Sequence, residues 1–300
     1  MSQTALGWKA DVPTEQPGRY GSETAANRWL LRLATVVLVL FAALGFWYGM
    51  VIPPFETPDE VYHYAFARHL AQGNSLPVQD DEATGPWQQE GSQAPLYYWL
   101  VGRLTSGVDQ DDFDALAVFN PRSNMGNPLY AGNKNRMLYS AASRPLHGTN
   151  LALHIGRVVS TLLGLITLAS LFATARLAFP DRAYLPLFAV GLAAAIPQFV
   201  FISASFTNDN MIIATAAATL YWLARLFTVE DDTEIPNLAW LVLGGLLGLA
   251  ALSKLQGLGL WLLAAGAGCW LAWRRRELHL LPKIALLVAA PAVAIAGWWY

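Results

Sequence analysis

The chain has 300 residues, 55% of them hydrophobic and only 13% charged, with 12 Trp and a formal net charge of −2. A soluble domain carries about a quarter charged residues, whereas here the charges gather at the ends of long apolar stretches, so the composition is that of a polytopic membrane protein. No basic tract suits a nucleic acid, and the single cysteine, Cys269, excludes an intrachain disulfide and any Cys-rich metal site.

In chain order, residues 1–28 read as a polar cytoplasmic tail rich in turn formers. A spanning helix needs about 20 mostly apolar residues. Candidates run from Trp29 to Ile52, Leu151 to Phe179, Ala183 to Ser203, Asn210 to Thr228, Leu238 to Leu252, Gly257 to Trp273 and Leu280 to Tyr300. The expectation is an all-α polytopic membrane fold with about seven transmembrane helices. The first run is too long for a cleaved signal peptide and ends in Pro53-Pro54 without a small-residue cleavage site, so it reads as a signal anchor. The last run is still apolar at Tyr300, which predicts that residues 29–300 are the N-terminal part of a longer transmembrane domain.

Most connections are short and carry breakers, such as "FPDR" and "TVEDDTEIPN". The exception is residues 53–150, far beyond an ordinary loop and therefore expected to hold structure and function. Within it, "PDEVYHYAFARHLAQG" has helix character: Pro58 suits a first-turn position, Asp59 and Glu60 favour a helix N-terminus and Gly73 suits a stop. Its Tyr62, Phe66 and Leu70 form one stripe, which predicts an amphipathic helix in the interface plane. "QAPLYYWLVGRL" predicts a second interfacial segment, with Tyr97, Tyr98 and Trp99 at headgroup level. The rest, notably "NPRSNMGNPLYAGNKNR", reads as irregular loop.

Arg28, Arg32, Arg176, Arg182, Arg225, Arg274, Arg275, Arg276 and Lys283 all fall on one side of an alternating path. The positive-inside rule makes that side the cytoplasm, which places the N-terminus inside and the long loop outside. The other face receives Asp59, Glu60 and His63 after the first helix, His154 and Arg157 at the second, Asn208, Asp209 and Asn210 between the third and fourth, and Lys254 and Gln256 between the fifth and sixth. Ionisable groups set into membrane helices are functional candidates. Each also has a plain structural reading. Asp59 and Glu60 could cap a helix, Arg157 could snorkel, Asn208-Asp209 and Lys254 could form turns, and Gln93 and Tyr97 could pack at the interface. Glu56 reads as solvated, and His69, His147 and His279 as structural. Carboxylates could serve as a base or bind metal, and Arg157 and Lys254 could hold a phosphate. Such a set suits a substrate with a polar head and a lipid tail.

These stretches resemble the GT-C class of polytopic glycosyltransferases, with the protein O-mannosyltransferase and lipid A aminoarabinose transferase branches as the nearest comparison. "PDEVYHYAFA" resembles the acidic motif of the first loop. "QAPLYYWL" is similar to the "PPLYYW" segment, with Gln93-Ala94-Pro95 where many relatives have a basic residue or His before the proline. "SASFTNDNMIIA" and "GGLLGLAALSKLQGLGLWLL" resemble later segments of the class.

The resemblance implies transfer of a sugar from a polyprenyl-phosphate donor to a lipid, glycan or protein acceptor at the outer face of the cell membrane. It implies Asp59 as general base in an inverting displacement, with Glu60 orienting or sharing that task. Arg157 and Lys254 would stabilise the departing phosphate, and Asn208 and Asp209 would shape the acceptor side. His63, Gln93 and Tyr97 join them as site-shaping candidates. No cofactor can be read. Some members of the class use a divalent metal, but no ligand set for one is legible here. The competing readings are a secondary transporter, whose site would lie near the bilayer midplane on broken helices, and a non-catalytic membrane scaffold.

Overall fold

The structure is a computed structural model that describes residues 18–78, 85–127, 129, 131–139 and 146–300, with side chains described from residue 28 onward. The first 17 residues of the expected tail lie outside the described residues. From Gly18 the chain is already helical, so the first helix begins ahead of its apolar run.

The described residues form an all-α fold. Its helices are α1 (Gly18–Val51), α2 (Glu60–Ala71), α3 (Leu96–Thr105), α4 (Phe113–Leu116), α5 (Gly148–Ala178), α6 (Tyr184–Ala194), α7 (Pro197–Ser203), α8 (Asp209–Phe227), α9 (Asn237–Ser253), α10 (Gly259–Arg274) and α11 (Leu281–Ala296). One isolated antiparallel bridge, Phe119 to Met137, is the β contact among them. Among the described residues, five helical stretches are long and apolar enough to cross a membrane: Arg28–Val51, Gly148–Ala178, Asp209–Phe227, Leu255–Arg274 and Leu278–Ala296. A bent pair, α6 with α7, makes a sixth, and α9 is a shorter apolar helix. The protein is therefore a multi-pass membrane protein, as its composition requires.

The third expected span, Ala183 to Ser203, is not one continuous helix. It bends by 69° between α6 and α7. Pro197 stands at the first turn of α7, and Ile196 before it is extended at ψ 113. A proline offers no N–H to the preceding turn and pushes the residue before it out of the α region, so the helix must restart there.

The two ends of the bundle are defined by contacts. At one end the C-terminus of α1, the first half of α5, the α7–α8 turn and the end of α9 meet through hydrogen bonds. At the other, Arg274 pairs with Asp231 at 2.5 Å, and Arg275 donates to the Glu230 carbonyl at 2.9 Å and to that of Thr233. The acidic run between α8 and α9 thus binds the arginine cluster between α10 and α11.

The first loop is not a separate domain. Phe55, Tyr64, Phe66, Tyr97, Tyr98 and Phe113 share one apolar core with Leu153 of α5, Phe206 of the α7–α8 turn and Met211 of α8. Two loop residues organise the loop from within. Gln110 accepts from Tyr64 Oη and from Arg68 Nε through its backbone carbonyl, and Asp112 accepts from the Thr149 N–H, satisfying a free donor at the start of α5. The stripe of α2 does not lie on lipid as its periodicity suggests, because Phe66 is fully buried and Tyr62 and Leu70 pack at the edge of this core. Tyr97 and Tyr98 are likewise core residues rather than headgroup anchors, whereas Trp99, Leu100 and Leu104 keep an exposed apolar face on α3.

The closest helix packing uses small residues. A Cβ on Gly244 would stand 2.2 Å from the Val288 carbonyl oxygen, and one on Gly248 would stand 2.8 Å from Ile295 Cβ and 3.0 Å from the Ala292 carbonyl oxygen. Gly244 and Gly248 therefore let α9 lie directly on the backbone of α11, the small-xxx-small contact of membrane helices. Gly244→Val should separate this pair and sharply lower the yield of monodisperse protein in detergent on size-exclusion chromatography, while Gly245→Val, with nothing near its Cβ, should leave it unchanged.

Candidate active site

The centre of the end where α1, α5, the α7–α8 turn and α9 meet is a buried ion pair. The Glu60 carboxylate is 0% exposed and the Arg157 side chain 2% exposed. Arg157 Nε donates to Glu60 Oε1 at 2.9 Å and Nη2 to Oε2 at 2.6 Å. Nη1 donates to the carbonyls of Gly49 and Ile52, each at 2.7 Å, and Nη2 to that of Pro53 at 3.0 Å. A guanidinium has five N–H donors, and all five are used. The carboxylate is filled as well, since the N–H of Phe55 donates to Oε2 and the N–H of Phe206 to Oε1, both at 3.0 Å.

The reason for this arrangement is local. The end of α1 leaves carbonyls without helical partners, and a cation placed there also complements the helix dipole. Gly156 makes room for the ring of Phe206, which a Cβ at that position would approach within 2.1 Å. That seat brings the Phe206 N–H onto Glu60. The pair therefore ties α1, the first loop, α5 and the α7–α8 turn together. It also redirects two expectations. Arg157 has no N–H left for a donor phosphate, and Glu60 has no oxygen left for a proton or a substrate.

Around this lock lies an accessible rim. Asp59 precedes α2 with φ 54, in the left-handed region that a non-glycine residue rarely adopts, and Phe55 in the same turn has φ 64. The Asp59 side chain is 47% exposed and faces Arg136 Nη2 at 3.5 Å, with the arginine 20% exposed. On the helix side, Lys254 sits where α9 breaks, with an extended backbone at φ −165. Its Nζ lies 2.5 Å from Asp209 Oδ1, and the two side chains are 21% and 41% exposed. Asn208 is buried between the two turns; its Nδ2 donates to Gln93 Oε1 at 3.3 Å and to the Ser253 carbonyl at 3.4 Å. Tyr97 has a structural contact: its hydroxyl meets Ser160 Oγ at 2.8 Å.

Between lock and rim stands His63. Its Nδ1 lies 2.7 Å from the Tyr98 hydroxyl and 3.3 Å from Glu90 Oε2, and its Nε2 lies 3.4 Å from Thr207 Oγ1. Burial pushes its pKa down from 6.5 to about 4, against the opposing pull of Asp209 and Asp59. The ring is therefore neutral near pH 7. Burial and the charge of Asp59 push the Glu90 carboxyl above its usual range. Glu60 meets Arg157, Asp209 meets Lys254, Asn208 meets Gln93 and His63 reaches Thr207, so these members of the set gathered by topology are brought together in space.

Sequence reasoning missed Glu90, Arg136 and the role of Glu56. Glu90 lies three positions before Gln93, a spacing visible in "EGSQAP", but its burial depends on α2. Arg136 lies in the stretch read as irregular loop. Glu56 is not solvated: it accepts from the N–H of Arg136 at 2.8 Å, from that of Met137 at 3.0 Å and from Tyr139 Oη, which anchors the far end of the loop. Among the described residues no three His, Cys, Asp or Glu side chains come together as metal ligands. His63 and Glu90 make a pair.

A family model for dolichyl-phosphate-mannose-protein mannosyltransferases matches residues 150–300, the segment that brings Arg157, Asn208, Asp209 and Lys254 to the site. The chain belongs to this family. It is thus a glycosyltransferase of the GT-C type, in the class that uses polyprenyl-phosphate sugars. Asp59 and the rest of the first loop lie outside the matched segment. No curated protein and no solved structure matches the chain.

Two outcomes follow for this mannosyltransferase-family site. Breaking a buried ion pair by removing one partner costs about 3–5 kcal/mol. Glu60→Gln and Arg157→Met should each lower unfolding stability in detergent by that order, and the double variant should lose clearly less than the sum. For His63, an unfolded chain takes up the proton near 6.5, whereas the folded ring resists until about 4. Its contribution is therefore complete above pH 6.5 and is lost as pH falls toward 4. Glu90 titrates in the opposite sense, since its raised pKa favours the protonated fold. The thermal midpoint of the wild type should drop between pH 6.5 and about 4, and His63→Gln should flatten that drop.

Proposed function

We propose that the chain transfers a sugar, from a polyprenyl-phosphate-linked donor, to an acceptor hydroxyl at the extracytoplasmic face of the cell membrane. In this reading the N-terminus is cytoplasmic and Asp59 is the general base of a single inverting displacement. The observation that carries it is the contrast between two adjacent carboxylates. Glu60 is sealed by four N–H groups, two of them from its counter-ion Arg157, whereas Asp59 projects from a strained turn into the accessible rim.

The chemistry follows from that placement. The acceptor hydroxyl loses its proton to Asp59 as its oxygen bonds to the anomeric carbon, and the bond from that carbon to the phosphate oxygen breaks. Charge grows on the departing phosphate, and a cation fixed nearby stabilises the transition state more than the ground state. Lys254 retains this role, because its single ion pair with half-exposed Asp209 leaves ammonium protons available. Glu60 and Arg157 act one step back, holding the Asp59 turn against the bundle. Asn208 and Gln93 border the acceptor side, and His63 supports the turn from below as a neutral ring. The gathering of charge at one end of the bundle supports a transferase over a transporter with a midplane site.

The test is transfer from a defined mannosyl polyprenyl phosphate in membranes containing the protein. Asp59→Asn should lower kcat about 10²–10⁴-fold, the range of general acid–base catalysis, with stability unchanged. Lys254→Ala should raise the KM for donor. Full activity of Asp59→Asn would remove Asp59 as base.

A further inference from the structure

We propose that Arg136 is a donor-phosphate ligand that also gates Asp59: it pairs with the carboxylate at rest and exchanges it for the phosphate when donor enters. The proposal rests on the reading of Asp59 as the base. It starts from the saturation of Arg157, which leaves the phosphate to other cations at this end. Lys134 donates to the carbonyls of Asn124 and Asn127, and Arg68 donates to that of Gln110 with its guanidinium over the ring of Phe113. Arg136 and Lys254 differ from them in each facing one accessible carboxylate of the rim.

Arg136 combines a fixed backbone with a loosely held head. Its N–H donates to both oxygens of Glu56 at 2.8 and 2.9 Å, and its carbonyl accepts from the Asn120 N–H at 2.9 Å. The next residue, Met137, also donates to Glu56 and bridges to Phe119. Among the described residues the guanidinium itself has one long ion-pair contact, 3.5 Å to Asp59, and lies over the ring of Tyr62 at 5.6 Å from its centre. Asp59 is equally fixed, its carbonyl accepting from the N–H groups of Tyr62 and His63 at 2.9 and 3.0 Å. Two pinned residues thus meet through a contact that a phosphate can replace. A planar guanidinium binds phosphate through two parallel N–H bonds, which are shorter and stronger than this one.

The exchange links donor binding to base activation. With the guanidinium drawn to the phosphate, the Asp59 carboxylate is released to accept the acceptor proton. The same guanidinium then faces the leaving group as its charge rises from −1 to −2. Proton, bonds and charge are those of the displacement described above, and no further reactant is needed.

The experiment measures binding of polyprenyl monophosphate to the purified protein in nanodiscs, together with transfer activity and thermal stability. Arg136→Ala and Arg136→Gln should weaken binding about tenfold or more at unchanged thermal midpoint, and Arg136→Lys should restore part of it. Arg122→Ala, an exposed charge of the same loop, should bind as wild type. The distinguishing result is Asp59→Asn: it should tighten binding by freeing Arg136, and should have no such effect in the Arg136→Ala background. Wild-type binding by both Arg136 variants, or unchanged binding by Asp59→Asn, overturns the proposal. If Asp59→Asn is inactive while Arg136→Ala binds normally, the gate falls and the base stands. If Asp59→Asn tightens binding yet retains full activity, the base falls and the phosphate exchange stands.

Discussion

The geometry of the candidate site depends on one interaction, the buried pair of Glu60 and Arg157. Two opposite charges removed from water must compensate each other and satisfy every remaining donor and acceptor, or the fold is better served by apolar residues. Here the compensation is complete. The guanidinium uses its five protons on one carboxylate and three carbonyls of the α1 exit, and the carboxylate takes two further N–H groups from Phe55 and Phe206. Four separate parts of the chain are thereby held at one point. The strained turn between them, with Phe55 and Asp59 both at positive φ, persists because it is held from both sides.

From that point the site divides by depth. Groups below the lock level are apolar and belong to the core shared by the first loop and the bundle. Groups around it are charged, partly exposed and paired one to one: Asp59 with Arg136, Asp209 with Lys254. A pair that keeps one contact in water is weak and replaceable, whereas a pair with every contact filled is not. This difference in saturation, rather than the kind of residue, separates groups that can meet a substrate from groups that hold the frame. His63 marks the boundary between the two, a neutral ring whose hydrogen bonds join α2, α3 and the α7–α8 turn.

The two membrane faces follow the same logic with opposite outcomes. At one, Arg274 and Arg275 meet the acidic run after α8 and close the ends of α8–α11. Their contacts there are cohesive. At the other, the ion pairs surround a loop that packs on the bundle instead of extending from it, and this places a strained carboxylate against the helix ends.

Much of this was legible in the residues alone. Apolar runs of spanning length gave the all-α membrane class, because backbone groups in hydrocarbon must pair within their own helix. The placement of arginines predicted a sidedness, and among the charged residues placed at the opposite edge the structure joins Glu60 to Arg157 and Asp209 to Lys254. What periodicity could not tell was which surface each face of a helix meets. The stripe of α2 reads equally well as lipid-facing or core-facing, and only the packing of α3, Phe113 and Phe206 against it decides. The break at Pro197 was visible as a proline but not as a 69° bend. Above all, sequence shows that Glu60 and Arg157 are charged but not whether their hydrogen bonds are already taken. That depends on residues far away in the chain, and it moved the functional weight from Arg157 to the paired, half-exposed charges of Asp59, Arg136, Asp209 and Lys254. Composition and spacing determined the membrane class and the end of the bundle where the candidate charges gather. The tertiary structure decided which charges are free to take part, because saturation is a property of partners and not of sequence.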